Sequence, residues 1–253
     1  LFAHNTKSTL MSSLPTLGYW SVRGLGAQIR YLLKHCQVEF REELFPQTFD
    51  DSAEGYDRWN RKEWMEHKQK LITEMSFPFP NLPYFIDGDV KLSQTSAIQR
   101  YICHKWNPDL LGRTPAEAGN AAMVECLLSD LNAALDKIAF FPNGTQEALK
   151  ECTQTRLSPV YEYLGDKPFL VGDNVTFVDF ILFEMLEKCQ HEHIWNGQFF
   201  NLFPLFGAYH ARMAALPNMM SAEELKAQGF FNGWRAKLGG AGEEMYRKYK
   251  QLD

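Results

Sequence analysis

The sequence predicts two unlike parts, a small α/β half followed by a larger all-α helical bundle. Three observations carry this. Every convincing strand signal falls before residue 94, in short apolar or alternating runs bounded by turn residues. Beyond residue 115 the apolar residues Val124, Leu127, Leu128, Leu131, Leu135 and Ile138 recur at helical spacing. Between these regions "NPDLLGRTP" is a connector punctuated by proline and glycine. The expected division is residues 14–106 for the first part, 107–114 for a linker and 115–253 for the helical part. At 253 residues the chain is long enough for two cores, and 45% hydrophobic content suffices to fill them.

The elements follow in order. Residues 15–19 form a strand, and Gly24 to Cys36 a helix with Ile29, Leu32 and Leu33 on one face. "VEFREEL", from Val38 to Leu44, alternates and predicts a half-buried strand. A loop-like stretch leads to a charged helix around Trp64 to Glu74. "FPFPNLPYFIDGDVKLS" gives two strands joined at Asp87-Gly88, and "QTSAIQRYICHKW" a closing helix. In the second half "VTFVDFILFEMLEKC" is apolar almost all round, which predicts the buried central helix of the bundle. Thr176 is its expected N-cap, with Asp179 at the third helical position and Val175 and Phe180 placed as a hydrophobic staple. The tail beyond Gly233 is expected to be loosely held.

Composition excludes several classes. A net charge of -5 gives no pull toward nucleic acid. The longest apolar stretch, "FVDFILFEML", is broken by Asp179 and Glu184, so no membrane span is expected. Five scattered cysteines, none in a Cys-x-x-Cys pair, fit a reducing compartment and argue against zinc or dithiol chemistry. His191 and His193 lack a third ligand nearby in sequence, and no metal site is expected. Residues 1–13 are polar and are set aside as a tail in which Met11 is a candidate initiator.

Four stretches invite a chemical reading. In "LGYWSVRGLG" a strand ends on Tyr19 and Trp20, whose polar tips suit a ligand seat as well as packing. In "FPNLPYFIDG" Pro83 cannot donate to a ladder and holds Leu82 extended, leaving the Leu82 backbone open to an extended ligand; a plain strand-entry proline is the simpler alternative. In "KLSQTSAI" Gln94 and Thr95 open a helix, where a carboxylate would be attracted; ordinary capping by Ser93 or Thr95 accounts for the same residues. In "RWNRKEWMEHKQK" Arg61, Trp64 and Lys68 fall near helical spacing, as a cation-bearing face or a merely solvated one.

Together "LGYWSVRGL", "FPNLPYFIDG", "KLSQTSAI" and "KPFLVGDNVTFVDF" resemble the cytosolic glutathione transferases, most closely the mu class, in the family's order from about Leu17 to Trp234. The resemblance implies a thioredoxin-like N-terminal domain, an all-helical C-terminal domain, and a cytoplasmic homodimer that conjugates glutathione to small apolar electrophiles. Glutathione is then a co-substrate and no cofactor is needed. Carried over by position, Tyr19 is the catalytic residue, donating a hydrogen bond to the glutathione sulfur. Trp20, Arg61, Trp64 and Lys68 surround the glycyl end, with Arg58 competing for the place of Arg61. Asn81, Leu82 and a cis Pro83 lie at the middle. Gln94 and Thr95 hold the γ-glutamyl carboxylate, and Asp130 reaches the γ-glutamyl amine across the dimer. Phe140 stands where the class commonly has a tyrosine touching the second substrate.

Overall fold

The computed structural model describes residues 14–46, 48–49, 59–140, 144–190, 195, 197–229 and 231. Strands β1 (Thr16–Trp20) and β2 (Arg41–Phe45) are joined by helix α1 (Gly24–His35). Two short strands, β3 (Thr48–Phe49) and β4 (Trp59–Asn60), pair apart from the main sheet. Helix α2 (Lys62–Thr73) precedes β5 (Tyr84–Asp87) and β6 (Val90–Ser93), and α3 (Thr95–Trp106) closes this half. A 3-10 turn over Pro108–Leu111 leads to α4 (Pro115–Phe140), α5 (Gln146–Leu164), α6 (Phe177–Gln190), α7 (Phe199–Leu202), α8 (Pro204–Ala214) and α9 (Ala222–Ala227). Among the described residues of the second half the only strand-like pairing is an isolated bridge between Phe169 and Gly172. The predicted order of elements is observed, except that the stretch expected as a loop after β2 carries the short pair β3 and β4.

The main sheet runs β2-β1-β5-β6, with β1 parallel to β2 and the other pairs antiparallel. A parallel neighbour requires a crossover, which α1 supplies. Leu17, Phe85, Ile29, Leu32, Ile98 and Ile102 bury one sheet face under α1 and α3, and the same cluster continues into the helical half through α6. On the other face Phe45, Trp64, Leu71, Phe77 and Tyr84 form a second cluster beneath α2.

Eleven of the fourteen residues of α6 are buried, as its continuous apolar pattern predicts. Its start differs from the expected cap. The Thr176 hydroxyl does not accept from a helix amide; it donates to Asp179 Oδ2 at 3.0 Å, and the Thr176 N–H donates to the same oxygen at 2.7 Å. Oδ1 accepts from Leu170 N–H at 2.9 Å and the Tyr209 hydroxyl at 2.8 Å. Asp179 is therefore the hub that ties α6 to the preceding loop and to α8.

Three further expectations shift. The β5–β6 turn is centred on Gly88-Asp89, closed by the Asp87–Val90 pair. β2 is an edge strand whose first four residues are exposed; Glu42 instead pairs with Arg30 at 2.5 Å and Glu43 with Tyr84. Edge strands have one unpaired side and only partial cover, so the alternation of Val38 and Phe40 packs just before the strand instead of within it. Leu127, expected in the core, is 45% exposed on α4.

Candidate active site

β1 carries Tyr19 to the end of the sheet, facing the start of α1. The Tyr19 Oη accepts a hydrogen bond from Leu25 N–H at 2.9 Å. This close approach explains the glycines that follow. Gly24 has φ +40, and a Cβ there would stand 2.6 Å from Tyr19 Oη; a Cβ on Gly26 would stand 2.6 Å from the ring. Both residues must be glycine for the phenol to reach the helix terminus. Burial first, and the nearby Asp136 charge, push the Tyr19 hydroxyl up to about 12, against the lowering effect of the Leu25 amide. At neutral pH the group is an un-ionised phenol. One lone pair is engaged by Leu25, and its proton is free to donate elsewhere.

Tyr19 lines a cleft of about 540 Å³ between the two halves. Trp20, Arg61, Gln94, Thr95 and Phe140 line it too, so six of the expected site residues share one cavity. Gln94 adopts φ 72, a left-handed conformation rare outside glycine and typical of functional sites. It stands at the start of α3, which has no side-chain cap. The Ser93 hydroxyl is turned away to Phe79 C=O at 2.6 Å. The first turn of α3 thus meets the cleft with amides that no capping side chain occupies, the arrangement that attracts carboxylates.

The Leu82–Pro83 peptide bond is cis. The antiparallel register that pairs Gly18 with Tyr84 sets Pro83 next to Tyr19, one residue further along. Leu82 and Pro83 therefore stand at the same end of the sheet as the phenol, although they do not line the cavity proper.

The other expected residues do not line this cleft. Trp64 is 5% exposed and packs in the α2 cluster, its ring stacked on Tyr84 at 6.2 Å and edge-on to Trp20 at 6.5 Å. Lys68 is half-buried and Asn81 exposed, and neither lines the cleft. Asp130 is exposed on α4, outside the cleft. Arg58, His191 and His193 lie outside the described residues.

Sequence reasoning missed the far wall, built by α4 and α6. Glu184 is held there by Arg23 at 2.6 Å and by Tyr31 at 2.5 Å, and Glu125 by Arg100 at 2.7 Å. Asp136 is held by Lys188 at 2.9 Å and Asn132 at 3.0 Å. Phe231 closes another side, its C=O accepting from Gly24 N–H at 2.9 Å and its ring lying 4.1 Å from the Arg23 guanidinium. The one available signal was charge within the apolar run of α6, where Glu184 and Lys188 need partners. Among the described residues no helix is long and apolar enough to cross a membrane.

Comparison with known proteins shows the family. Residues 15–104 match the family described as glutathione S-transferase, N-terminal domain, and residues 129–221 match glutathione S-transferase, C-terminal domain. A glutathione S-transferase of Tyrophagus putrescentiae is 34% identical over 235 residues, covering 91% of this chain and 99% of that protein. The class-mu 26 kDa isozyme of Schistosoma japonicum is 32% identical, covering 89% and 96%. The crystal structure of the glutathione S-transferase Blo t 8 superposes with a TM-score of 0.74 at 25% identity, covering 88% of this chain and 99% of that one. With its thioredoxin-like sheet, helical second half and a cleft headed by a phenol, the chain belongs to the glutathione S-transferase family.

Proposed function

We propose that Tyr19 activates glutathione by donating its hydroxyl proton in a hydrogen bond to the sulfur, and that the thiolate then attacks an electrophilic carbon of a second substrate. The observation that carries this reading is the hydrogen bond from Leu25 N–H to Tyr19 Oη at 2.9 Å. It fixes the phenol and leaves its proton to the ligand. A free thiol with pKa about 8.5 is only a few per cent ionised at neutral pH. A donor to the anion lowers that value, and a shift of about two units corresponds to roughly 2.7 kcal/mol. In the attack the sulfur lone pair forms the new carbon–sulfur bond, and a leaving group departs or an activated double bond accepts the electron pair.

The rest of the tripeptide is read along the same surface. Gln94 and Thr95 receive the γ-glutamyl carboxylate at the N-terminus of α3, and the Leu82 backbone pairs with the middle. Arg61 holds the glycyl carboxylate, with Trp20, Trp64, Lys68 and Asn81 around it. Phe140 and the apolar side chains near it take the second substrate. No cofactor or metal enters this chemistry.

A cytoplasmic homodimer completes the reading. All five cysteines are unpaired, which suits a reducing compartment. Met123 and Leu127, 55% and 45% exposed, lie on one stripe of α4 that ends at Asp130, and Phe79 is 80% exposed. An exposed apolar stripe on α4 suits a protein interface, and in the proposed dimer Asp130 beside it reaches the neighbouring site. The residue ranges 14–106 and 115–253, joined by 107–114, are the corresponding domain division. The test combines a conjugation assay with 1-chloro-2,4-dinitrobenzene, glutathione calorimetry and light scattering. Turnover by a dimer is expected, with weaker glutathione binding in Asp130→Asn. Absence of both glutathione binding and turnover would refute the proposal, and a monomer with full affinity would refute the shared site.

A further inference from the structure

The far wall of the cleft is more polar than an apolar-substrate pocket requires. Leu128, Ile181, Met185, Phe140 and Phe231 supply apolar surface, yet Asp136 stands among them. Its carboxylate is fixed at both oxygens, Oδ1 by the Lys188 ammonium at 2.9 Å and Oδ2 by the Asn132 amide at 3.0 Å. The two charges are not equally available. The Lys188 side chain is 9% exposed, whereas that of Asp136 is 36% exposed. Both side chains line the cleft, and the carboxylate presents the larger surface to it. A carboxylate retains lone pairs beyond the two already engaged, so it can accept another donor.

This carboxylate is close enough to Tyr19 to oppose ionisation there. By the same physics it opposes a thiolate held by that phenol, an effect that Lys188 partly offsets. Packing alone would be met by an apolar residue at this place, without that opposition. The neighbouring carboxylates, Glu125 and Glu184, are engaged with Arg100 and with Arg23 and Tyr31 and are almost fully buried. Asp136 is the acidic group of this wall with the most surface open to a ligand.

We propose that Asp136 is a specificity-determining residue, and that it selects electrophiles carrying a cationic or N–H-donating group attached to an apolar reactive body. The inference rests on the transferase reading of the cleft. The Lys188 and Asn132 bonds hold the acceptor in place, so the substrate group meets it without reorganisation, and an anionic group on the electrophile meets repulsion instead.

The test uses three N-substituted 4-chloro-3-nitrobenzamides with one reacting carbon and one leaving group, differing only in the amide substituent. That substituent is propyl, 2-(trimethylammonio)ethyl or 2-carboxyethyl; a fourth probe with 2-acetamidoethyl separates neutral N–H donation from positive charge. In the native enzyme kcat/KM is expected to rank cation above propyl above anion, each step about fivefold, as for unit charges a few ångströms apart in a partly hydrated cleft. Asp136→Asn should abolish or invert the ranking. The double substitution Asp136→Leu, Lys188→Met, which leaves no unpaired buried charge, should make propyl the preferred substituent. The ranking compares probes on one enzyme preparation, so partial misfolding of a variant does not distort it. Turnover of all probes with a flat ranking, or a ranking unmoved by both variants, overturns this proposal alone. Failure of every probe together with failure to bind glutathione overturns the transferase reading as well.

Discussion

Replacing Asp179 tests how the helical half is held together. The carboxylate accepts four hydrogen bonds, from Leu170 N–H, Thr176 N–H, the Thr176 hydroxyl and the Tyr209 hydroxyl, and it is fully buried. Two of the donors are backbone amides that cannot turn away. Leaving a buried donor unpaired costs about 1–3 kcal/mol, so Asp179→Ala is expected to destabilise by about 4 kcal/mol. Asp179→Asn keeps one oxygen and presents an amide N–H₂ to the other donors. One backbone N–H then loses its partner whichever way the side chain turns, and the expected cost is about 2 kcal/mol. Tyr209→Phe should cost less, about 1 kcal/mol, because Leu170 N–H still satisfies Oδ1. The assay is urea unfolding at fixed protein concentration, which matters for an oligomer. Asp179 does not line the cleft, so the folded fraction should keep its glutathione affinity. An Asp179→Asn midpoint equal to that of the native protein would refute the hub.

Further outcomes are expected at the phenol and its surroundings. Gly24→Ala places a Cβ at φ +40 and against Tyr19 Oη; it should cost more than about 1 kcal/mol of stability and lower conjugation more than it lowers glutathione affinity, and unchanged kcat would show that the phenol has room to move. Arg61→Ala should raise the glutathione KM on the order of tenfold, the loss of one charge-assisted hydrogen bond of about 1.5 kcal/mol, with Arg58→Ala doing much less; the reverse ranking would move the glycyl contact to Arg58. Burial raises the Tyr19 hydroxyl to about 12, above the value of about 10 for a free tyrosine. Its un-ionised form therefore contributes stability fully below pH 10, and that contribution is lost as pH rises from there toward 12. A phenolate difference spectrum between native protein and Tyr19→Phe should stay flat below about pH 10, and a signal near pH 8 would make Tyr19 a base instead of a donor.

The sequence and the structure agree where the information is local. β1 runs through Tyr19, α1 opens at Gly24 and α3 opens at Thr95, as the sequence predicts, because each boundary is set by neighbours in the chain. The continuous apolar run of α6 likewise announced its burial. Trp64 shows where the pattern was ambiguous. Helical spacing puts residues on one face without saying whether that face meets a ligand or a core, and here Tyr84 and Phe45 claim the indole. Leu127 belongs to the same problem, since an apolar stripe on α4 can be core or exterior. The far wall was beyond reach for another reason. Asp136 and Lys188 are separated by 52 residues, and their meeting depends on how α4 and α6 are rotated against each other. The donors that Asp179 collects from Leu170 and Tyr209 were hidden in the same way.

The central claim is that the Tyr19 hydroxyl lowers the pKa of a bound glutathione thiol. The direct measurement is the ultraviolet absorbance of the enzyme-bound thiolate as a function of pH, in the native protein and in Tyr19→Phe. The substitution keeps the ring and its packing and removes only the donor. The native complex should titrate about two units below the free thiol, and the Tyr19→Phe complex near the free value of about 8.5. Turnover at neutral pH should fall about 10²-fold in the variant and recover in part as the pH is raised. Equal thiol pKa values in the two complexes would contradict the account and place thiolate stabilisation on another group.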